Sequence, residues 1–444
     1  MSTPFLADYF EFLRFQSVST DPGLAPRVAA CAGWLERKFR GMGLEARAYP
    51  TAGHPIVVAR SQPKPDRRTL LIYGHYDVQP ADPLEEWRTP PFEPALKDGI
   101  VYARGATDNK GQILAHILGV EKTLREKGEL PVNIIFLVEG EEESGSEHLA
   151  DFLETHREEL ACDLIAISDT GMVARGLPAL TYGLRGILAM EVRLHGARTD
   201  LHSGLYGGIA PNPATLLARM VASLHDESFR VAIPGFYDAV AALQDWERAE
   251  WARLPLDEAF FKAAIHSDAL LGEAGYTPVE RAWGRPTAEV NGIGGGYQGS
   301  GGKTVIPREA FAKLSFRLVP NQKPAQIEAC VRAHLERVCP PQVRMEIVTG
   351  HGGEPFLCDP QGRDGQAARR ALARTWGVEP ALIREGGSIP ILEALRRTLG
   401  VEILLLGLAL PDCACHAPNE SFPLENFEAG MRLNQALLEE LARA

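Results

Sequence analysis

The chain has 444 residues, enough for more than one domain and a sizeable buried core. Hydrophobic residues make up 45% and charged residues 23%, the balance of a globular enzyme-sized protein. A formal net charge of -12 without any basic block excludes nucleic-acid phosphates and anionic membranes as main partners. The N-terminus lacks the basic start and apolar core of a signal peptide. The longest apolar stretches, such as 400–411, are too short to span a bilayer, so a cytoplasmic location is expected. Seven cysteines without a CxxC spacing read as reduced thiols.

In chain order, the opening segment with Phe10, Phe12, Leu13 and Phe15 reads as a helix, ending at a Ser/Thr/Asp/Pro turn. Residues 28–42 repeat apolar side chains at helical spacing and stop at Gly43. Residues 55–59 and 69–73 are continuous apolar runs, which suit strands buried on both faces. A helix is expected over 111–124, a strand over 132–138, a helix over 148–160 and a strand over 164–167. This alternation argues an α/β sheet. Near Leu184 the pattern changes. Residues 186–194 and 312–318 alternate like half-exposed strands, helices are expected over 212–224 and 325–338, and a strand over 343–348. These suggest a separate domain with a largely antiparallel sheet, carrying a polar helical insertion over 226–285. Beyond Ser388 a helix (391–397), a strand (401–406) and a final helix from Leu424 resume the α/β pattern. The expected division is 1–184 and 387–444 for one domain, interrupted by 185–386.

Three clusters carry chemistry: Gly74-His75-Tyr76-Asp77, Asp108-Asn109-Lys110-Gly111 and Glu141-Glu142-Glu143-Ser144-Gly145. Each has an ordinary explanation by itself. His-x-Asp after a strand can be an aspartate orienting a histidine, Asp108 can be a helix N-cap, and an acidic triplet is usually a solvated run. The combination argues otherwise. In open α/β sheets ligands gather beyond the carboxyl ends of strands. His75, Asp108, Glu143, Asp169 and His416 could supply a two-metal site with one aspartate bridging the ions. A bound dication would relieve the repulsion among the carboxylates, and Glu142, beside a ligand, could take a proton from water.

The stretches 74–80 (Gly-His-Tyr-Asp-Val-Gln-Pro), 106–111 (Ala-Thr-Asp-Asn-Lys-Gly), 139–146 (Glu-Gly-Glu-Glu-Glu-Ser-Gly-Ser) and 415–420 (Cys-His-Ala-Pro-Asn-Glu) resemble the di-zinc aminoacylase/carboxypeptidase family, nearest its cytosolic non-specific dipeptidase and carnosinase branch. The resemblance covers nearly the whole chain in the right order. It implies a catalytic domain with a central mostly parallel mixed sheet flanked by helices, interrupted by an α+β lid and dimerisation domain. It implies His75, Asp108 and Asp169 on one metal ion, Glu143 and His416 on the other, and Asp108 bridging. Asp77 would orient His75, and Glu142 would be the general base and acid. Glu141 would be a bystander, and the Asp108-Asn109 bond would be cis. In the lid, His202 of Asp200-Leu201-His202-Ser203-Gly204 would reach a partner subunit's site and stabilise the oxyanion. Asn291, Thr304 and Arg317 would contact substrate, Arg317 clamping its carboxylate. Glu385, Gly387 and Ser388 would meet its backbone and amine.

Two departures bear on side-chain preference. Asn291 stands where the carnosinase branch usually has histidine, and a second lid histidine has no counterpart, since His351 lies too early. The run Gly294-Gly295-Gly296-Tyr297-Gln298-Gly299 fits a nucleotide-binding spacing, but Val305-Ile306-Pro307 follows instead of a helix. Cys413 and Cys415 read as bystanders, because five non-sulfur ligands already account for two ions. The expected activity is hydrolysis of dipeptides with a free C-terminal carboxylate, by a homodimer using two divalent ions per subunit, zinc or else manganese. The alternative is an N-acyl-amino-acid deacylase or metallocarboxypeptidase of the same family.

Overall fold

The computed structural model describes residues 4–387, 389 and 391–444. The chain forms two compact units. One comprises Met1–Tyr182, Cys358–Ile383 and Pro390–Ala444; the other comprises Gly183–Leu357 and Arg384–Ile389.

The first unit is built on a mixed sheet. Its centre is four parallel strands, in the order Asn133–Glu139, Thr69–His75, Leu164–Ile167 and Glu402–Leu405. Nearly every residue of these strands is buried, which explains their unbroken apolar runs: helices on both faces leave no solvated side to alternate with. Antiparallel strands flank the centre, Ile56–Arg60 and Glu45–Tyr49 on one side and the start of Ala179–Leu184 on the other. Helices Ala25–Gly41 and Lys110–Lys127 pack against this sheet. The second stops at Gly128, whose positive φ of 74° lets its N–H close on the Leu124 carbonyl.

The division departs from the expected boundaries. Residues 358–383 were expected in the interrupting domain, but they group with the first unit. Their helix, Arg363–Trp376, buries a stripe of mostly small residues, Gly365, Ala367, Ala368 and Ala371, together with Leu372. It packs against the last helix, Leu424–Arg443, with Arg370 donating to Glu440 at 2.7 Å. At its start Asp364 accepts both arms of Arg68, at 2.6 and 2.9 Å. A stripe of alanines among arginines carries a weak hydrophobic signal, and its partner helix lies some 60 residues on.

The second unit holds a four-stranded antiparallel sheet, ordered Thr287–Gly295, Glu309–Leu318, Gly186–His195 and Arg344–Gly353. The middle strands bury every second residue, including Leu188, Met190, Val192 and Leu194, and Ala312, Leu314 and Phe316. Helices Pro213–Ala222 and Pro324–Val338 add Leu217, Met220, Ile327, Val331 and Leu335 to the same core. Helix Pro213–Ala222 begins on Asn212, whose side chain accepts from the N–H groups of Ala214 and Thr215. The glycine-rich run starts inside strand Thr287–Gly295, and the next element is the short strand Val305–Ile306, so no helix follows to bind a phosphate.

Candidate metal centre

The parallel strands of the first unit deliver acidic and imidazole side chains at their carboxyl ends. His75 closes strand Thr69–His75 and lies in register with Glu139 of the neighbouring strand. Three residues beyond Glu139 a short 3₁₀ turn, Glu142–Ser144, carries Glu142 and Glu143. Asp169 follows strand Leu164–Ile167. Asp108 precedes helix Lys110–Lys127, and the Asp108-Asn109 peptide bond is cis. His416 comes from the loop before strand Ser421–Pro423.

Two sets of donor atoms converge. Atoms of His75, Asp108 and Asp169 lie within 4.8 Å of one another, as do atoms of Asp108, Glu143 and His416. Asp108 belongs to both sets. Its Oδ1 lies 3.2 Å from His75 Nε2, and its Oδ2 lies 2.9 Å from His416 Nε2. Asp169 Oδ1 is 3.8 Å from His75 Nε2, and Glu143 Oε2 is 3.4 Å from His416 Nε2. The opposite nitrogen of His75, Nδ1, lies 3.1 Å from the Asp77 carbonyl and 3.3 Å from its carboxylate. With Nδ1–H donating there, Nε2 turns a lone pair toward the carboxylates. That geometry asks for a cation between them.

The electrostatics say the same. Burial pushes the Glu142 carboxyl well above its ordinary value, and nearby Asp169, Glu143 and Asp108 add to this against the opposing His75. Burial likewise raises Asp169 against the pull of His75. Hydrogen bonds to Asp108 and Glu143 push the His416 imidazole up to about 10. Burial opposes protonation of His75, yet Asp108, Asp169 and Asp77 together raise it well above the usual value. Carboxylates that hold protons this firmly on two imidazoles are a site seeking positive charge, and dications compete for the same lone pairs. Glu143 Oε1 is buried without a hydrogen-bond partner, an acceptor left for such a cation. Oxygen and imidazole nitrogen donors suit zinc or manganese. The residues present therefore fit divalent metal ions, with Asp108 belonging to both donor sets.

Residues 71–440 match peptidase family M20/M25/M40. The chain belongs to this family. It is 32% identical over 442 residues to a Cys-Gly metallodipeptidase of Schizosaccharomyces pombe, covering 96% of this chain and 93% of that one. It is 34% identical over 394 residues to the Beta-Ala-His dipeptidase of Homo sapiens, covering 88% and 78% of the two chains. Among solved structures it resembles the M20 family metallo-carboxypeptidase Sso-CP2 from Sulfolobus solfataricus, with a TM-score of 0.86, 32% identity and all of both chains covered. As an M20 metallopeptidase the protein is an enzyme whose chemistry involves divalent metal ions.

Asp77, expected to orient His75, and three residues not foreseen as functional hold this centre in place. Asp77 accepts from the Glu142 and Glu143 N–H groups, at 3.3 and 3.0 Å, so it fixes the acidic turn as well as His75. Gln79 donates to Glu143 Oε2 at 2.7 Å. Asn109 donates to Asp169 Oδ1 at 2.7 Å and to the Ser168 carbonyl at 2.6 Å. Glu420 is wholly buried, and its carboxylate accepts from the N–H groups of Gly105, Thr107 and Asp108 and from Arg104. It thereby pins the loop that presents Asp108. A lone glutamine or glutamate carries no spacing signal; only its position in space reveals these contacts. Glu141 turns to His148, 2.9 Å from Nδ1, and belongs to neither donor set.

The remaining candidates lie in the second unit. His202 is exposed and accepts at Nδ1 from the Gly204 N–H, 3.0 Å away. Its strand, Leu201–His202, pairs with Val305–Ile306, and the Thr304 carbonyl accepts from Ser203 N–H at 3.1 Å, so His202 and Thr304 are neighbours. Asn291 is exposed at the register shift between Val290 and Gly292. Arg317 lies opposite Ile187 and Thr287, and among the described residues it forms no ion pair. Glu385 ends strand Ala381–Glu385, and Gly387 follows, exposed. Arg185, not foreseen, donates its backbone N–H to Glu385 at 3.2 Å and its Nε to Gly386 at 3.4 Å. Ser388 lies outside the described residues.

Proposed function

We propose that this M20 enzyme is a metal-dependent dipeptidase that hydrolyses dipeptides with a free C-terminal carboxylate. The observation that carries the reading is the pair of donor sets sharing Asp108, with Glu142 beside them. Relatives named as dipeptidases over almost the whole chain support the substrate class. His75, Asp108 and Asp169 would hold one divalent ion, and Asp108, Glu143 and His416 the other, zinc in the first instance and manganese as the alternative. When bound, such a pair polarises a carbonyl and acidifies water.

The chain's own residues do the rest. Glu142 takes the proton of the attacking water and returns it to the leaving amine. Its burial raises its affinity for a proton, which suits a group that must accept one. Asp77 keeps His75 in the Nδ1–H tautomer. His202 of a partner subunit stabilises the oxyanion, so the working form is a homodimer. Arg317 clamps the substrate carboxylate in two parallel bonds. Asn291, Thr304, Glu385, Gly387 and Ser388 contact the rest of the dipeptide. No helix among the described residues is long and apolar enough to cross a membrane, and the net charge of -12 disfavours nucleic acid, which supports a cytoplasmic enzyme.

The second reading, a carboxypeptidase or N-acyl-amino-acid deacylase, has the solved metallo-carboxypeptidase in its favour. One assay separates the two. The protein is stripped with a chelator, reloaded separately with zinc and manganese, and given matched dipeptides, longer peptides and N-acyl amino acids. Faster turnover of dipeptides supports the proposal; preferential cleavage of longer peptides or acyl derivatives overturns it.

A further inference from the structure

We infer that Cys413 and Cys415 form a reversible oxidation site that governs the hold of the adjacent His416 loop on metal; the second half of this inference rests on His416 being a ligand, as proposed above. The two sulfurs are 3.1 Å apart, in direct contact, with only Ala414 between them in the chain. Neither is bonded to another cysteine, since every cysteine here is free. Their accessibility differs in a useful way. Cys415 is exposed, so an oxidant in solution reaches the pair, and Cys413 is buried in contact with it.

The chemistry balances with hydrogen peroxide as the oxidant. One sulfur of the pair attacks a peroxide oxygen, the O–O bond breaks, and a sulfenic acid and one water result. The other sulfur then attacks the oxidised one; the S–S bond forms, the S–O bond breaks, and the hydroxyl leaves as a second water with the remaining thiol proton. Two thiols are oxidised and one peroxide is reduced. A small dithiol reverses the step by exchange.

The backbone determines what must move. Cys413 is anchored: its N–H donates to the Leu410 carbonyl at 3.0 Å, and its carbonyl accepts from Ser421 N–H at 2.9 Å. The residues after it are held in the left-handed region, Ala414 at φ 55° and His416 at φ 61°, which side chains with a Cβ adopt reluctantly. Closing the sulfur gap to bonding distance shortens it by about 1 Å, and the anchored end leaves Cys415 to take up the shift. The next residue is His416, whose Nε2 sits 2.9 Å from Asp108 and 3.4 Å from Glu143. Metal–ligand distances in well-formed sites keep within about 0.2 Å of their usual values. Oxidation therefore loosens the donor set of Asp108, Glu143 and His416 and leaves that of His75, Asp108 and Asp169 in place.

The test uses the zinc-loaded protein, treated with hydrogen peroxide and then digested for mass spectrometry. The peptide spanning 413–415 should become lighter by two hydrogens and recover with dithiothreitol. Zinc release to a colorimetric chelator should rise about tenfold on oxidation, the scale expected when a ligand's support is disturbed. Cys415→Ser, at the exposed position, and Cys413→Ser should bind zinc as the reduced parent does and show no peroxide-dependent release. Absence of the two-hydrogen loss sinks the oxidation site, whatever the enzyme's substrate. Oxidised parent that keeps zinc as well as the serine variants sinks the control of metal. If even the reduced protein holds no zinc, the metal-centre reading itself fails, while the peptide masses still decide the oxidation site.

Discussion

In the first unit, His75 and Asp77 are wholly buried, and every candidate ligand except the exposed His416 is held by a neighbour that does not itself bind: Asp77, Gln79, Asn109 or Glu420. In the second unit His202, Asn291 and Thr304 are exposed, and Arg317 has no carboxylate partner among the described residues. One region is organised before any substrate arrives. The other leaves polar side chains facing solvent or without an ion pair, which suits residues whose partner is the substrate. Rigid preorganisation serves transition-state chemistry, whereas open, solvated groups serve recognition.

This contrast can be broken by mutation, and the largest effect is expected at the residue both donor sets share. Asp108→Ala should abolish turnover and cost the protein both ions, read by metal analysis of the purified variant; retention of two ions would remove the bridging role. Glu142→Gln should lower kcat by about 10²–10⁴-fold with the metal content unchanged. A variant that turns over dipeptides at the parent rate would leave the centre without its base. Arg317→Ala should act differently, raising KM for dipeptides about 10- to 100-fold as a charged hydrogen-bonding partner is lost, with a smaller change in kcat. A loss confined to kcat would move Arg317 from recognition to chemistry and erase the contrast. The smallest effect is expected at Gln79→Ala, about tenfold in metal affinity, measured by competition with a chelator. No change there would mean that Glu143 is positioned by the Asp77 hydrogen bond to its backbone alone.

Much of the first unit was legible from residue order. Runs such as 69–73 and 164–167 are apolar throughout because they are covered on both faces, and their ends are where polar residues must appear. His75, Glu143 and Asp169 gather because the strands they follow are parallel, whereas Asp108 and His416 reach them from the loops before Lys110–Lys127 and Ser421–Pro423. Helix Arg363–Trp376 was not legible as part of this unit, because its buried face is mostly alanine and its partner helix is distant in the chain. Gln79 and Glu420 were illegible as supports for a related reason. Their contacts span 64 residues and more than 300, and no local pattern encodes them.

By itself the sequence determined the chemistry on offer: a soluble-type composition, an α/β alternation, carboxylates and imidazoles at strand ends, and motifs sufficient to name a family. These are local properties, set by side-chain type and by the periodicity of burial. Only the tertiary structure decided which oxygen faces which nitrogen, that Glu141 turns away to His148, that Glu420 holds the Asp108 loop, and that two cysteines touch beside His416. The physical reason is range. Periodicity reports which face of an element is buried, whereas a binding site depends on distances between elements far apart in the chain, and these are settled only when the whole core packs.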